Sequence, residues 1–353
     1  MIKKKILFII PNLKAGGAER VAINYLRQLS LKKYLITLIV FENKNDLKKL
    51  IPKGVTIKNL KTLSASNSLF KILTNIKKIK PDFVYTSHSR VAAILLLIKP
   101  FVNKFKHIAR MINMPSLEKK YNIYGSFRRW IFAKAFKEAD IIIAQTNEMK
   151  NDGIKIFGLE KKKIKVMYNP IDKAEINKYI KNTSSPFSSK EIAAVASGRL
   201  SYQKDFSTLI KATIKVLKKY PNFKLYILGR DDGQKNFLET MILENKLSDS
   251  IFLMGYQKNP YKYYKFCDLF ILSSRFEGFP NVIIENYYLN TPIVTTDCVS
   301  VIKKLIINKK NGYICKKENI LLLSNKIENC IKNLKRKNIN NPNYVGSRIE
   351  EVL

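Results

Sequence analysis

Short runs rich in valine and isoleucine, each followed by a longer amphipathic segment, recur along this chain. That alternation constrains its fold more than any other feature. Ile6–Ile10 is the first such run, and Ala18–Leu29 follows it with Val21, Tyr25 and Leu29 on one helical face. The succession continues with strands at Leu35–Phe41, Val55–Ile57, Phe83–Thr86, His107–Ile112 and Ile141–Ala144. Helices fall at Leu69–Ile79, Val91–Val102, Phe127–Ala139 and Asn147–Phe157. Strands that are apolar throughout, rather than alternating, belong to parallel sheets covered by helices on both faces.

The pattern then restarts. Ile164–Met167 leads into Asn169-Pro170-Ile171-Asp172, and the polar stretch Lys181–Lys190 is the best linker candidate. Beyond it lie strands at Ile192–Ser197, Lys224–Leu228, Ile251–Met254, Leu269–Leu272 and Ile293–Thr295. Helices are expected at Asp205–Lys219, Gln234–Lys246, Tyr261–Phe266, Pro280–Leu289 and Lys317–Leu334. A length of 353 residues fits about two domains. The expected division is 1–175, 176–335 and a tail, 336–353, that reads either as weakly ordered in composition or as a return to the first domain. Two such domains facing each other would leave a ligand cleft between them. Ligands of open parallel sheets bind beyond the carboxyl ends of the strands, so loops after strands are where chemistry is sought.

Charge and cysteines narrow the class. The chain carries 65 Lys and Arg against 27 Asp and Glu, a net +38. Residues 1–175 hold 36 and 12 of these, so the first half contributes +24 and the second +14. Such a charge predicts attraction to polyanions, whether nucleic acid, anionic lipid or phosphate-bearing substrates. A lysine-rich proteome accounts for much of it, but less well for its concentration in the first half. The four cysteines form no CxxC pair and there are only two histidines, which excludes a zinc site built on close Cys/His spacing. A disulfide scaffold is not expected either, and a reducing compartment fits. The apolar core Ile6–Ile10 is shorter than the ~7–15 residues of a signal peptide, and Val91–Ile98 is far shorter than the ~20 that span a bilayer. The expected location is cytoplasmic, peripheral on the inner face of the cytoplasmic membrane.

Three loops carry candidate chemistry. Pro11-Asn-Leu-Lys-Ala-Gly16-Gly17-Ala-Glu-Arg20 joins the first strand to the first helix. Its glycine pair lets backbone N–H groups approach an anion, or simply makes a tight turn. Its spacing matches neither the dinucleotide nor the P-loop pattern. Gly198-Arg199-Leu200-Ser-Tyr-Gln203-Lys204-Asp205-Phe206 follows the first strand of the second half. Arg199 offers a planar fork and Lys204 a point charge, enough to hold a diphosphate without a metal; alternatively both are solvated bases. The third is Glu277-Gly278-Phe279-Pro280-Asn281-Val-Ile-Ile-Glu285. Gly278 allows close backbone approach, and the N–H groups of Phe279–Asn281 open a helix that can receive phosphate. Glu277 in the loop and Glu285 on the helix can grip hydroxyls at two points of a polyol. Pro280 suits the first turn.

Together these strings resemble the large retaining glycosyltransferase family 4, of the GT-B fold. Asn169-Pro170-Ile171-Asp172 is similar to that family's segment between domains, and Asn290-Thr-Pro-Ile-Val-Thr-Thr-Asp297 to its G-T-P-V-V-x-T-D strand. The resemblance spans roughly residues 3–335. It implies two Rossmann-like domains facing each other across a cleft, and transfer of a sugar from a nucleotide sugar, taken as a UDP-sugar, with retained configuration. It implies that Arg199 and Lys204 bind the donor diphosphate, that Glu277 contacts the donor sugar, and that Glu285 contacts the ribose. Gly16 and Gly17 would lie beside the transferred sugar, and no cofactor or bound metal is expected. Asp231-Asp232 is then a polar loop rather than a metal site.

The chain also departs from that pattern. Asn286-Tyr-Tyr-Leu-Asn290 replaces A-M-A-x-G, and Cys298-Val-Ser-Val-Ile replaces a glycine-rich loop. Many members end a strand of the first domain with a histidine near the acceptor; here Arg110 and Asn113 occupy that region, and His88 follows another strand. His88 reads either as part of the acceptor side or as a structural histidine. Tyr121–Lys137 is basic and aromatic, and Arg128, Arg129 and Lys137 are candidates for contact with anionic lipid headgroups. An ordinary helix with its apolar side in the core is the plainer reading for most of those aromatics. The expected partners are a nucleotide-sugar donor, a glycan or lipid-linked acceptor and an anionic membrane surface. A nucleic-acid binder fits the charge but lacks any recognition motif. A catalytically silent homologue serving as a partner subunit is the other alternative, opposed by the joint presence of Arg199, Lys204, Glu277 and Glu285. An isomerase or phosphorylase of the same fold finds no supporting motif.

Overall fold

A computed structural model of the chain describes residues 2–14, 16–42, 46–62, 65–102, 104–120 and 125–353. It divides into two compact units. The first comprises Met1–Ile171 with Val345–Leu353, and the second Asp172–Tyr344.

The first unit is built on a parallel sheet of β1 (Lys4–Ile10), β2 (Tyr34–Val40), β3 (Thr56–Asn59), β4 (Phe83–Thr86), β5 (Lys106–Arg110), β6 (Ile141–Ala144) and β7 (Ile164–Val166). Their spatial order is β3-β2-β1-β4-β5-β6-β7. β1 lies between β2 and β4, with Ile6 opposite Ile36 on one side and Phe83 on the other. Its residues from Ile6 onward are buried, as the unbroken apolar run requires. One face packs Phe8, Tyr25, Tyr85 and Ile108 together with Ile349 and Val352 of the returning C-terminal segment. Burying those two aliphatic side chains contributes roughly 1.5–3 kcal/mol each.

The second unit repeats the plan with β8 (Ile192–Ser197), β9 (Phe223–Leu228), β10 (Ile251–Gly255), β11 (Leu269–Leu272), β12 (Ile293–Thr296) and β13 (Gly312–Cys315). The order is β10-β9-β8-β11-β12-β13, again parallel throughout. In both sheets the strand order reverses beside the first strand, at β1/β4 and at β8/β11. A parallel sheet opens a crevice at such a point, between loops that diverge from neighbouring strand ends.

Helix limits follow local chemistry. Thr146 caps the helix Asn147–Phe157 by accepting from the Met149 N–H, and Gly158 closes it at φ +63°. Asn319 caps Ile320–Asn333 in the same way. The helix Ser89–Ile98 stops short of the expected Val102, because Pro100 lacks the N–H that would continue it.

Several expectations need correction. The compact units part at Ile171/Asp172, four residues before the expected 175/176, and the polar stretch 181–190 lies within the second unit. Asp172 accepts from the Glu175 N–H and starts the helix Lys173–Ile180, which the sequence reading left out. That helix belongs to the second unit: Tyr179 packs on Tyr261 at 5.9 Å, and Lys265 donates to the Ile180 carbonyl. The tail is ordered by contacts its composition hides. The Arg336 guanidinium donates to the carbonyls of Leu289, Tyr264 and Cys267, keeping residues up to Tyr344 with the second unit. From Val345 the chain rejoins the first unit. The short strand β13 was also missed, since four residues between polar turns carry little periodicity.

Candidate active site

The loops at the reversal point of the second sheet pair three cations with four carboxylates. The loop after β8 turns through a short 3-10 segment, Tyr202–Lys204, and enters the helix Phe206–Leu217. The loop after β11 runs from Ser273 to Pro280 and enters the helix Asn281–Tyr288. β8 and β11 are hydrogen-bonded neighbours, so these loops leave the same edge of the sheet side by side.

Lys204 Nζ lies 2.5 Å from Glu277 Oε1, with both side chains largely buried. Ser274 Oγ donates to the same carboxylate oxygen at 2.7 Å, and Gln203 Nε2 approaches Oε2 at 3.4 Å and the Phe276 carbonyl at 3.0 Å. Ser273 Oγ donates to the Lys204 carbonyl, tying the two loops at the backbone as well. Gly198 makes the arrangement possible, because a Cβ there would lie 2.6 Å from Lys204 Cε. Gly229 is needed next to it: its Cβ would meet the Gly198 carbonyl oxygen at 1.7 Å.

Arg199, read from sequence as the partner of Lys204, points to another carboxylate. Its Nη1 lies 2.7 Å from Asp232 Oδ2 on an exposed surface. Asp231 accepts from the N–H groups of Gly233, Gln234 and Lys235 and so caps the helix Lys235–Glu244. Both acidic residues after β9 are thereby engaged as a polar loop. Gly278, Phe279 and Pro280 are buried and Asn281 half-buried. Pro280 sits just before the helix rather than in its first turn, and Glu285 lies half-buried just past that turn.

Arg275 organises the loops, although the sequence reading gave it no role. Its Nη2 lies 2.7 Å from the fully buried Asp205, Nε lies 3.0 Å from Glu318, and Nη1 donates to the Tyr202 carbonyl. The signal was present as a basic residue between a buried strand and Glu277. Cys298 is a second omission: burial first, then the Glu277 charge, push its thiol well above the ordinary range. All four cysteines are free and buried.

At the reversal point of the first sheet, Glu19 and His88 pair at 3.3 Å, and His88 Nδ1 shares a hydrogen bond with Ser87 Oγ. Burial alone would raise the Glu19 carboxyl, but the hydrogen bond and charge of His88, with help from Arg110, hold it below the usual value. A Cβ on Gly16 would lie 2.2 Å from Glu19 Oε2, so this glycine makes room for the chain's own carboxylate. Gly17 begins the helix Gly17–Gln28. Arg110 ends β5 fully buried and donates to Asn169 Oδ1 at 2.8 Å. The Asn113 side chain is hydrogen-bonded to Glu118, whose carboxyl burial pushes up to about 7.

The helix Ser126–Lys137 splits its aromatics. Phe132 and Phe136 are buried, whereas Phe127 and Trp130 are 72% and 60% exposed and stack at 6.1 Å. Of the four aromatics of 121–137 among the described residues, two therefore face the core and two face out. Arg128 and Lys137 are exposed; Arg129 donates to Ser126 Oγ. Tyr121 and Tyr124 lie outside the described residues. Among the described residues no helix is long and apolar enough to cross a membrane.

Comparison with known proteins agrees with this architecture. Residues 15–175 match the model of Glycosyltransferase Family 4, and residues 178–344 that of Glycosyl transferases group 1. An uncharacterized glycosyltransferase of Methanocaldococcus jannaschii is 36% identical over 243 residues, spanning 65% of this chain and 59% of that protein. A 4-alpha-N-acetylgalactosaminyltransferase of Campylobacter jejuni is 28% identical over 330 residues, covering 90% of this chain and 87% of its own. The structure of Anabaena HepE with UDP and glucose superposes with a TM-score of 0.77 at 18% identity, covering 93% and 90% of the two chains. WaaG, a glycosyltransferase of lipopolysaccharide biosynthesis, gives 0.74 at 12%, covering 92% and 90%. With both halves matched and both parallel-sheet units of the GT-B kind, the chain belongs to the group 1, family 4 glycosyltransferases.

Proposed function

We propose that the protein moves a sugar, with retained anomeric configuration, from a UDP-sugar to a glycan or lipid-linked acceptor in cell-surface polysaccharide, lipopolysaccharide or glycoconjugate synthesis. The observation that carries this reading is the Lys204–Glu277 pair at the β8/β11 reversal point, a buried cation and a buried carboxylate in adjoining loops. The donor belongs to the second unit. Lys204, Arg199 and the N–H groups of Phe279–Asn281 take its diphosphate, with Gly198 and Gly278 giving backbone access. Glu277 takes hydroxyls of the sugar and Glu285 those of the ribose.

In the reaction the bond from the anomeric carbon to the phosphate oxygen breaks, and a bond to the acceptor oxygen forms on the same face. The acceptor's proton leaves with the diphosphate oxygen. About one further negative charge develops on that leaving group, which fixed cations and helix N–H groups stabilise without a base or a metal. The engagement of Asp231 in a cap and of Asp232 with Arg199 supports metal-independent binding.

The relatives support the substrate classes. The Campylobacter jejuni protein is named for a diphospho-undecaprenol-linked substrate, and HepE was solved with UDP-glucose as well as with UDP. The acceptor side is assigned to the first unit, around His88, Arg110 and Asn113. Its basic surface, with Arg128, Arg129 and Lys137 on one helix, supports peripheral attachment to the inner face of the cytoplasmic membrane. So does a groove of about 620 Å³ lined by Lys150, Lys161, Lys162 and Lys165.

Calorimetric titration with UDP, UDP-glucose and UDP-N-acetylhexosamines, with and without a chelator, tests the donor assignment. Binding is expected to be the same in both conditions; binding abolished by the chelator refutes it. NMR of the first product formed tests retention, and an inverted anomer refutes that.

A further inference from the structure

The geometry points to Glu277 as a placeholder for the donor diphosphate: phosphate binding draws Lys204 away from Glu277 and only then frees that carboxylate for the sugar. This inference rests on the donor reading above and assigns an order to the events within that site.

Three cations of these loops already face carboxylates. Arg275 is held by Asp205 and Glu318, and Arg199 by Asp232. The charge of Lys204, with its side chain 14% exposed, is matched by Glu277 at 2.5 Å, itself 8% exposed. An arriving diphosphate therefore competes with a carboxylate for Lys204. The competition is physically possible because Glu277 has other anchors. Ser274 Oγ donates to it at 2.7 Å and Gln203 Nε2 approaches its second oxygen. When Lys204 turns away, the carboxylate stays in place, negatively charged and short of one donor. Hydroxyl groups of a sugar supply such donors. The flexible Lys204 stem lies over the bare Cα of Gly198, where no side chain stands in its way. Sugar recognition is thus coupled to diphosphate recognition through one ion pair that is exchanged rather than added.

The coupling has an uncommon sign, because removing a donor-site carboxylate should strengthen binding of the nucleotide diphosphate alone. Titration of UDP into the parent, Glu277→Gln, Lys204→Met and the double variant reads it out. Glu277→Gln is expected to bind UDP about tenfold tighter, since a buried cation is left seeking an anion. Lys204→Met is expected to bind it at least tenfold more weakly. In the Lys204→Met background, adding Glu277→Gln should change UDP affinity less than about twofold, because the competitor has lost its target. Should Glu277→Gln fail to fold, Glu277→Asp keeps the charge, withdraws it by one methylene, and should bind UDP about threefold tighter. UDP binding unchanged or weaker in Glu277→Gln, or in Glu277→Asp where that variant is the one that folds, overturns the exchange and leaves the donor reading standing. A parent that does not bind UDP overturns the donor reading, and the exchange with it.

Discussion

Arg275 Nη2 lies 2.7 Å from Asp205 Oδ1, joining a loop that follows β11 to the cap of a helix that follows β8. Asp205 is fully buried and holds a left-handed backbone, φ +50°, while accepting from the Thr208 N–H. The guanidinium is therefore the counter-charge of a strained and desolvated carboxylate. Breaking a buried pair from one side costs roughly 3–5 kcal/mol, so Arg275→Met is expected to lose about that much stability. Arg275→Lys should recover only part, because it keeps the charge and loses the fork that also reaches Glu318 and the Tyr202 carbonyl. Urea unfolding checks both; a loss under about 1 kcal/mol in Arg275→Met would sink the assignment.

Lys204→Ala should lose turnover about a hundredfold, the usual effect of removing one charge-assisted contact to a leaving group. Arg199→Ala is expected to lose turnover by a similar factor. Its side chain is exposed and already paired with Asp232, so the folded state should be indifferent to its loss. Steady-state turnover of a UDP-sugar, with circular dichroism to confirm the fold, makes the measurement. Near-parental rates in both variants would remove the diphosphate assignment.

Acid should weaken the first unit through His107. Burial first, and the charge of Lys99 second, lower its imidazole from 6.5 to about 3, with Asp140 opposing. The folded chain thus refuses a proton that the unfolded chain accepts. Stability is full above about pH 6.5 and falls by about 1.4 kcal/mol per pH unit below it, until about pH 3. Glu118, raised from 4.5 to about 7, acts with the opposite sign across that interval, its stability falling as pH rises. The informative quantity is therefore the difference between parent and His107→Asn. Urea midpoints at pH 7.5, 6 and 5 should converge as pH falls, and parallel curves would exclude His107 as the cause.

If the helix Ser126–Lys137 docks on lipid, sedimentation with anionic vesicles should exceed that with neutral ones and decline with salt. Each base near the surface contributes about 1 kcal/mol within a Debye length. Changing Arg128, Arg129 and Lys137 to Glu should release the protein while leaving UDP binding intact. Phe127→Ser with Trp130→Ser should weaken attachment at high salt, where charge is screened and inserted aromatic surface remains. Vesicle binding equal to the parent's in the triple variant would return this helix to an ordinary solvated surface.

What could be seen in the sequence was what local chemistry dictates. Ile192–Ser197 and Leu269–Leu272 are unbroken apolar runs with polar ends, so their limits were legible, and with them the loops that hold Lys204 and Glu277. The strand order that brings those loops together was not legible, because pairing joins residues 73 positions apart through tertiary packing alone. The same limit applies to Arg199. Its position in the loop was readable, but its turn toward Asp232 depends on how the loop after β9 folds. Arg336 was hidden for a different reason: a basic residue in a polar tail looks solvated until three carbonyls from two separate segments converge on it.

The return of Val345–Leu353 to the first unit bears on how the protein is made. Ile349 and Val352 complete a core whose other members are translated among the first 170 residues or so. Gly346 seats against Asn169 and Pro170 so closely that a Cβ would lie 2.6 Å from the Asn169 oxygen. During synthesis the first unit therefore emerges and waits, with part of one face uncovered, until residues 345–353 leave the ribosome. The two halves cannot mature strictly in order of translation, and a chain stalled or clipped before residue 345 would present an unfinished leading unit beside a finished trailing one. Quality control that recognises exposed apolar surface would then see the loss of residues 345–353 as a defect in the first unit.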